Sequence, residues 1–581
     1  MTFKTLSGYY EKLEGTSKRL ELIDILSKLF KESNSDEIGK ICYLIQGRVA
    51  PFFEPIELGM AENMVAVAVG KAFGKTKEEV IKLYRSKGNM GLAAQELAKK
   101  HRHLGKLNIS QVFDELLKIA RFSGEGTVDN KVSTLCELLK KLDSISAKHV
   151  VNIPLGTLRL GIGDPTVLDS LSLAKHGDKS LRPILEDAYN KTSDLGFVAE
   201  IFFKKGISGI KNIKLVVGKP VRPALAERIP SAQEAIKKLG NEFAAEPKFD
   251  GFRVQVHLDR SNIQLFSRNL ENTTHAFPDL VEGVRTSVKA KTAILEGEAI
   301  AFNPQTHEFL PFQETTKRRR KYKIEEMAKK LPLVLFAFDL LYLNGKDITQ
   351  KPYRERRKLL ESIVSKNGNI VKIAEEKKLK SAKEITDFFN EAISEGLEGL
   401  MLKKLDSPYI AGGRGFHWVK FKRSQAGQLT DSVDCVLLGV YSGKGKRTEF
   451  GVGGLLVGIY DDKKDEFVSI SRIGTGLTDE EFRKVNEISK HLRADHQPTR
   501  VNSEITPSFW VEPKIVLEIQ ADEITRSPIH TAGRDKEGLG YALRFPRLVK
   551  FREADKKAED ATTVSEIIKL YNLQFSHHKK S

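Results

Sequence analysis

The chain has 581 residues, of which 40% are hydrophobic and 30% charged, a balance that excludes disorder over most of its length. Lys and Arg number 95 against 77 Asp and Glu, a formal net charge of +18. This excess favours a polyanionic partner such as nucleic acid, and a generally basic, well-solvated surface is the alternative. The three cysteines lie too far apart for a disulfide framework or a cysteine zinc site, and no apolar run approaches the roughly 20 residues of a membrane span. We therefore expect a cytoplasmic protein with no membrane partner.

Residues 1 to about 210 are expected to form helices almost throughout. Apolar residues recur near i, i+3, i+4 and i+7 in segments such as 20–30, 62–73 and 133–142. GKAFGKT (70–76) resembles a phosphate-binding loop, but its glycines are too close together and it lies in a helical run, so we do not assign it a nucleotide. The glycines of 156–165 either let backbone amides approach phosphates or simply form turns.

The stretch 216–230 contains three prolines and marks a domain boundary. After it, strands are expected at 252–258, 293–302, 331–343 and 399–404, alternating with helices at 354–364 and 381–394. From about 425, short strands surround one helix at 479–492, which suits a small β-barrel such as an OB-fold, and a last helix with a basic tail follows from about 553. The predicted domains are therefore 1–215 (all-α), 216–424 (α+β) and 425–581 (β-barrel).

The segment EPKFDGFRVQVHL (246–258) carries the first chemical signal. Asp250-Gly251 indicates a tight turn, and the alternation after it separates apolar from polar side chains on the two faces of a strand. Lys248 lies two residues before Asp250 and close to Glu246. A lysine beside carboxylates is either part of a structural ion-pair cluster or, when its amine is unprotonated, a nucleophile, and this segment alone leaves both open.

KFDGFR resembles the K-x-D-G-x-R signature of the covalent nucleotidyltransferases, the superfamily of DNA ligases, RNA ligases and capping enzymes. Further segments resemble the family's other motifs in the same order: FSRN (266–269), LEGEAIAF (295–302), AFDLLYLNG (337–345), EGLMLKK (398–404), WVKFK (418–422) and RFPRL (544–548). Together with the long helical N-terminal region, the whole chain resembles the ATP-dependent DNA ligases of archaeal and eukaryotic organisms, and the archaeal type in particular.

The resemblance implies an all-α DNA-binding domain, an α+β adenylation domain and an OB-fold domain. It makes Lys248 the nucleophile that takes AMP from ATP. Glu298 and Glu398 are implied to hold a divalent ion, Mg²⁺ or alternatively Mn²⁺, with Glu298 near the ribose; an ordinary salt bridge is the other interpretation of either residue. Phe338 is implied to stack on the adenine and Glu246 to lie near it, although Phe338 taken alone suits a hydrophobic core.

The remaining implied residues are cations that contact phosphates, ribose or the DNA end. Arg253, Arg268 and Arg414 are implied to contact ribose, phosphate or the DNA end. Lys420 and Lys422 share one face of a strand and would both reach the α-phosphate. Arg544 and Arg547 would orient the pyrophosphate leaving group when the third domain closes over the site.

The implied function is sealing of nicks in duplex DNA during replication, repair and recombination, by a monomer associated with the nucleoid. An RNA ligase or capping-type enzyme, and a non-catalytic DNA-binding protein, are the alternatives. Docking on a sliding clamp is typical of the family, but 99–110 lacks the expected glutamine and aromatic pair. The basic run KRRRKYK (317–323) is a solvated face, a DNA contact or a nuclear signal.

Overall fold

The structure is a computed structural model that describes residues 1–101, 106–158, 160–229, 231–302, 309–310, 315, 317–318, 323–395, 397–422, 432–442, 451–474, 477–552 and 555–576. Most of the basic run 317–323 and the tail after 576 thus lie outside the described residues. The chain divides into two compact units, Met1–Ile213 with Gln497–Arg500, and Lys214–His496 with Val501–Ser581. In the described part, no helix has the length and apolar character needed to cross a bilayer.

The first unit is helical, as predicted. Its helices are Phe3–Glu14, Arg19–Glu32, Ile38–Ile45, Glu62–Phe73, Lys77–Lys87, Met90–Ala98, Ile109–Arg121, Thr127–Leu139, Ser144–Asn152, Asp164–His176, Arg182–Thr192 and Leu195–Lys211. The segment 70–76 joins two of them: Gly74 ends one helix in the left-handed region (φ 65°), and the Thr76 side chain accepts a bond from the Glu79 amide at the start of the next. Its glycines therefore serve a helix–helix turn.

Two sheets form the middle of the second unit. One has five strands in the order Leu225–Arg228, Arg414–Lys422, Gly399–Lys404, Phe243–Lys248 and Lys377–Leu379. The other has the order Asn262–Ser267, Phe252–Asp259, Thr292–Ala301, Leu333–Leu343 and Lys346–Asp347, with Val371–Ile373 parallel to Leu333–Leu343. The helices of this part are Ala232–Leu239, Pro278–Ser287, Ile324–Lys330, Tyr353–Ile363 and Ala382–Ser394.

The polar face of strand Phe252–Asp259 is covered by the chain. Arg253, Gln255 and His257 each bond a backbone group of 218–224, at 2.7–3.0 Å. The proline-rich stretch that marks the sequence boundary is therefore bound along this strand, where it satisfies the strand's buried polar side chains.

The C-terminal part of the second unit is rich in strands. An eight-stranded sheet contains Val433–Tyr441, Gly454–Asp461, Glu466–Ile473, Arg493–Ala494, Val501–Asn502, Phe509–Val511, Val516–Gln520 and Arg547–Phe551. Glu523–Ser527 and Gly540–Arg544 form a two-stranded ribbon, and the helices are Asp479–His491 and Val564–Ser576, with a 3-10 turn at Ala558–Asp560.

The last helix begins later than predicted. It was expected from about residue 553, and it starts at Val564. Thr563 and Glu566 bond each other's backbone amides with their side chains, at 2.8 and 3.3 Å, and this reciprocal cap sets the first turn. Before it, Arg552, Asp555, Lys556 and Asp560 line the pocket described next.

Candidate active site

A pocket lies where the two sheets of the second unit meet Arg552 and the segment 555–560. All predicted site residues except Arg544 and Arg547 line it: Glu246, Lys248, Arg253, Arg268, Glu298, Phe338, Glu398, Arg414, Lys420 and Lys422. The C-terminal part contributes Arg552, Asp555, Lys556 and Asp560 to the same wall. The motif residues, spread over 177 positions of sequence from Glu246 (246) to Lys422 (422), are thus brought to one cavity.

Lys248 ends strand Phe243–Lys248 and points at a carboxylate. Its Nζ forms an ion pair with Glu398 Oε2, and the two side chains are 20% and 16% exposed. The backbone supports this pair, because the Glu398 amide donates to the Lys248 carbonyl at 3.0 Å. The amine is therefore accessible from the pocket and held in one position.

Two glycines let the backbone close around this lysine. A Cβ at Gly251 would lie 2.3 Å from the carbonyl oxygen of Ala299, and one at Gly399, whose φ is 142°, would lie 2.1 Å from that of Phe421. Both distances are sterically forbidden, so only glycine fits at these positions. The turn after Lys248 and the strand after Glu398 can therefore pack close to their neighbours.

Glu398 is the electrostatic centre of the pocket floor. Its Oε2 also lies 3.4 Å from Lys422 Nζ, and its Oε1 lies 3.3 Å from Lys550 Nζ. Burial alone would raise the pKa of Glu398, but the ammonium groups of Lys248, Lys422 and Lys550 hold it well below its ordinary value. Glu398 is thus an anion surrounded by cations, which suits a group that orients amines.

The lysines and arginines that line the pocket outnumber the carboxylates that line it. Burial, with Arg228 and Lys556 nearby, holds the pKa of Lys420 well below its ordinary value. Burial and the neighbouring Arg552 lower the pKa of Lys556 to about 7, although Lys556 pairs with Asp434. Buried like charges of this kind are relieved by an anionic ligand, so this wall is suited to a polyphosphate.

Glu298 faces the same pocket in a different environment. Burial raises its pKa to about 7, and the nearby Lys248 and Arg253 offset this only in part. A carboxylate that is short of compensating charge fits a hard divalent cation. Glu398 fits one less well in this conformation, because its two oxygens already face three lysines.

The other end of the pocket is lined by aromatic rings and by a buried carboxylate with its hydrogen-bond partners. Phe338 and Trp418 meet edge to face with ring centroids 5.8 Å apart, and the Arg253 guanidinium lies 5.4 Å from each ring. The Glu246 carboxylate accepts from Tyr353 and pairs with Lys403, both at 2.6 Å. A flat ring beside a fixed carboxylate suits a nucleobase that carries an amino group.

Three predicted arginines are already engaged by the protein. Arg253 bonds Glu296 at 2.6 Å, and Arg268 lies 3.7 Å from Asp560. Arg414 bonds Glu566 at 2.6 Å, and its other amino group bonds the carbonyls of 560 and 561 at 3.1–3.4 Å. Contact of these arginines with ribose, phosphate or DNA stays a prediction.

Arg544 and Arg547 do not reach the pocket in this structure. Both are exposed, and Arg547 Nη2 donates to Asp522 at 2.6 Å. Among the described residues of the C-terminal part, the cations that do reach it are Arg552 and Lys556, which sequence reasoning missed. The available signal was the basic run that continues past RFPRL, through Lys550, to Lys557.

The chain matches three protein-family models: "DNA ligase N terminus" over residues 2–172, "ATP dependent DNA ligase domain" over 223–422 and "ATP dependent DNA ligase C terminal region" over 448–556. It is 50% identical to a "Probable DNA ligase" of Dictyoglomus turgidum, over 99% of this chain and 98% of the relative. It is 43% identical to a "DNA ligase" of Nitrosopumilus maritimus and 40% identical to one of Sulfolobus acidocaldarius, over 99% and 98% of this chain respectively and 98% of each relative.

Proposed function

Because the chain belongs to the family of ATP-dependent DNA ligases of archaeal type, and so seals nicks in duplex DNA with ATP, we propose that Lys248 carries AMP between ATP and DNA. The observation that carries the proposal is the accessible Lys248 amine, held by Glu398 in a pocket whose wall is rich in buried cations. Binding alone would need the cations but no oriented amine.

In the proposed reaction, the Lys248 ammonium group first gives up a proton to solvent, and the lone pair of Nζ then attacks the α-phosphorus of ATP. A nitrogen–phosphorus bond forms, the bond to the bridging oxygen breaks, and pyrophosphate leaves. AMP then passes to the 5′-phosphate at the nick, and the 3′-hydroxyl displaces AMP as the strand is joined. Lys420 and Lys422 would stabilise charge that develops on the phosphoryl oxygens.

In this proposal the adenine base and the pyrophosphate leaving group occupy opposite ends of the pocket. Phe338 stacks on adenine, and Glu246 accepts a hydrogen bond from its amino group. Arg552 and Lys556, which line the wall formed by the C-terminal part, stabilise the departing pyrophosphate. This assigns to Arg552 and Lys556 the role that sequence reasoning gave to Arg544 and Arg547.

We also propose that Mg²⁺, with Mn²⁺ as a substitute, is held by Glu298, with Glu398 joining once one of its lysines has moved. The ion would neutralise phosphate charge when bound. Replacing Glu298 with Gln keeps the size of the side chain and removes its charge. We expect the Mg²⁺ concentration for half-maximal enzyme–AMP formation to rise about 10-fold or more.

The test of that expectation is a Mg²⁺ titration of enzyme–AMP formation, with the thermal shift produced by Mg²⁺ and a non-hydrolysable ATP analogue as a second readout. The matched control is Glu282→Gln, which removes an exposed carboxylate that does not line the pocket. Equal Mg²⁺ requirements for Glu298→Gln and wild type would contradict the assignment of Glu298.

The short link between strands Gly540–Arg544 and Arg547–Phe551, which belong to different sheets, is proposed to contact DNA. Phe545 is 68% exposed and is held at φ 51°, flanked by the exposed Arg544 and Arg547. A large exposed aromatic in a strained conformation is uncommon without a partner. Arginines beside an apolar wedge are a combination that proteins use on the DNA minor groove.

Replacing Phe545 with Ala is therefore expected to weaken binding of nicked DNA about 10-fold, because a stacking or wedging contact is lost. Enzyme–AMP formation, which needs no DNA, is expected to keep its wild-type rate. Fluorescence anisotropy with nicked duplex measures the first and single-turnover labelling the second. A loss confined to enzyme–AMP formation would contradict this role.

The remaining assignments are proposals on the same basis. The C-terminal part is proposed to be an OB-fold, in a monomer with domains at 1–215, 216–424 and 425–581 that works on the nucleoid in the cytoplasm. Docking on a sliding clamp also stays a prediction, and residues 102–105 of its candidate segment lie outside the described chain.

A further inference from the structure

We propose that Lys550, on strand Arg547–Phe551 of the C-terminal part, is a positioning residue for enzyme adenylation. Its ammonium group binds the carboxylates of Asp250 and Glu398 together, and Glu398 in turn holds Lys248. The inference rests on the proposed role of Lys248 as the AMP carrier and adds a residue that acts on it from the C-terminal part.

The contacts of Lys550 place it directly behind the nucleophile. Its Nζ lies 2.8 Å from Asp250 Oδ1 and 3.3 Å from Glu398 Oε1, and its side chain is only 8% exposed. Lys248 is bound by the other oxygen of Glu398. One oxygen of Glu398 thus binds the nucleophile Lys248, and the other binds Lys550. Lys550 lies 302 residues after Lys248 in the chain.

Lys550 is itself fixed by the C-terminal sheet. It is the cross-strand neighbour of Glu518, whose Oε2 lies 3.8 Å from Lys550 Nζ. Glu518 is held by Arg552 at 2.8 Å and by the Ser432 hydroxyl at 2.6 Å. The position of the ammonium group therefore follows from the strand register, not from a flexible surface chain.

Removing the charge of Lys550 would leave two carboxylates facing each other. Asp250 and Glu398 both lie within 3.3 Å of the same ammonium group, and their side chains are 25% and 16% exposed. Without the bridging ammonium, the two carboxylates repel each other and must separate. This separation moves the Glu398 carboxylate that orients Lys248.

The contact acts on the first stage of the reaction. In this structure strand Arg547–Phe551 lies against the pocket, and Lys550 contacts Asp250 and Glu398. Attack by Lys248 on ATP needs that arrangement, whereas joining of an already adenylated nick needs no attack by Lys248. Loss of Lys550 should therefore slow the first reaction selectively.

The experiment uses the full-length chain with Lys550→Met, which keeps most of the length of the side chain and removes its charge, and Lys550→Arg, which keeps the charge. Single-turnover formation of enzyme–AMP is followed over a range of ATP concentrations, and joining of a pre-adenylated nick is followed without ATP. Lys514→Met, at an exposed lysine before strand Val516–Gln520, is the matched control.

We expect Lys550→Met to slow the maximal rate of enzyme–AMP formation roughly 10- to 100-fold, since small misplacements of reacting groups cost that much. Half-saturation by ATP and joining of the pre-adenylated nick should stay within about 3-fold of wild type, a change below 1 kcal/mol. Lys550→Arg should recover most of the rate. Adding Asp250→Asn to Lys550→Met should recover part of it, because the repulsion between the carboxylates is then gone.

An unchanged adenylation rate in Lys550→Met would overturn the inference, as would equal losses in both reactions, which indicate a general structural role. If Lys550→Met does not fold, Lys550→Gln takes its place in both assays: an adenylation rate below one-tenth of wild type together with normal joining supports positioning, and an unchanged adenylation rate or losses shared by both reactions overturn it. Failure of the proposed function is a separate result, namely that Lys248→Ala still forms a covalent AMP adduct.

Discussion

Lys248→Ala is expected to form no covalent AMP adduct and to seal an ordinary nick at least about 10⁴-fold more slowly than wild type, because no other group can replace the attacking amine. Lys248 Nζ is held by Glu398 at the pocket floor, and the other lysines that line the pocket lie on other segments of the chain: Lys403, Lys420, Lys422 and Lys556. Labelled ATP followed by denaturing electrophoresis measures the adduct.

The internal control is a nick that already carries AMP on its 5′-phosphate. Joining this substrate requires no lysyl-AMP, so Lys248→Ala should join it within about tenfold of the wild-type rate. The Lys248 side chain is 20% exposed, and the substitution should therefore leave the fold intact. Loss of both reactions in a folded variant would place Lys248 in DNA binding instead of nucleotide transfer.

The second large effect is expected at Arg552. Arg552→Ala should slow enzyme–AMP formation about 10²- to 10³-fold, the usual cost of removing one charged donor from a developing oxyanion. Arg547→Ala should leave that rate near wild type, because Arg547 is exposed and pairs with Asp522. Single-turnover labelling of both variants shows whether Arg552 or Arg547 acts on the pyrophosphate leaving group.

Arg552 also holds Asp555 at 2.5 Å and Glu518 at 2.8 Å, so its loss will cost stability. Thermal unfolding of each variant separates this loss from an effect on the reaction. The variant Arg552→Lys, which retains a charge for Glu518 and Asp555, should lose activity with less loss of stability, because a lysine lacks the forked geometry. The opposite outcome, slow labelling in Arg547→Ala and normal labelling in Arg552→Ala, would restore the roles predicted from sequence.

The pocket could be largely predicted from the sequence because its residues lie at strand ends with fixed local chemistry. Lys248 and Gly251 flank a turn that only glycine can close, and Lys420 and Lys422 lie two apart on one strand. Such spacings are local, so a short motif carries them. The strands of 252–259, 292–301 and 333–343 were found for the same reason, since their apolar runs have period two or are continuous.

The partners of those residues could not be predicted in the same way. Arg414 reaches Glu566, and Glu398 reaches Lys550, each 152 residues away in sequence. These pairs depend on how the C-terminal sheet lies on the pocket, which no local pattern records. The exposed position of Arg544 and Arg547 could not be predicted for the same reason. Strand Arg547–Phe551 begins at an exposed residue, and Arg552, which follows its last residue, lines the pocket.

The most direct test of the account is to locate AMP on the wild-type chain. The protein is first treated with pyrophosphate to remove bound AMP, then incubated with α-labelled ATP and Mg²⁺, digested and mapped by mass spectrometry, and a parallel sample is chased with nicked DNA. The account predicts label on Lys248 that moves quantitatively to the DNA in the chase. Label on another residue, or label on Lys248 that nicked DNA does not remove, would contradict it.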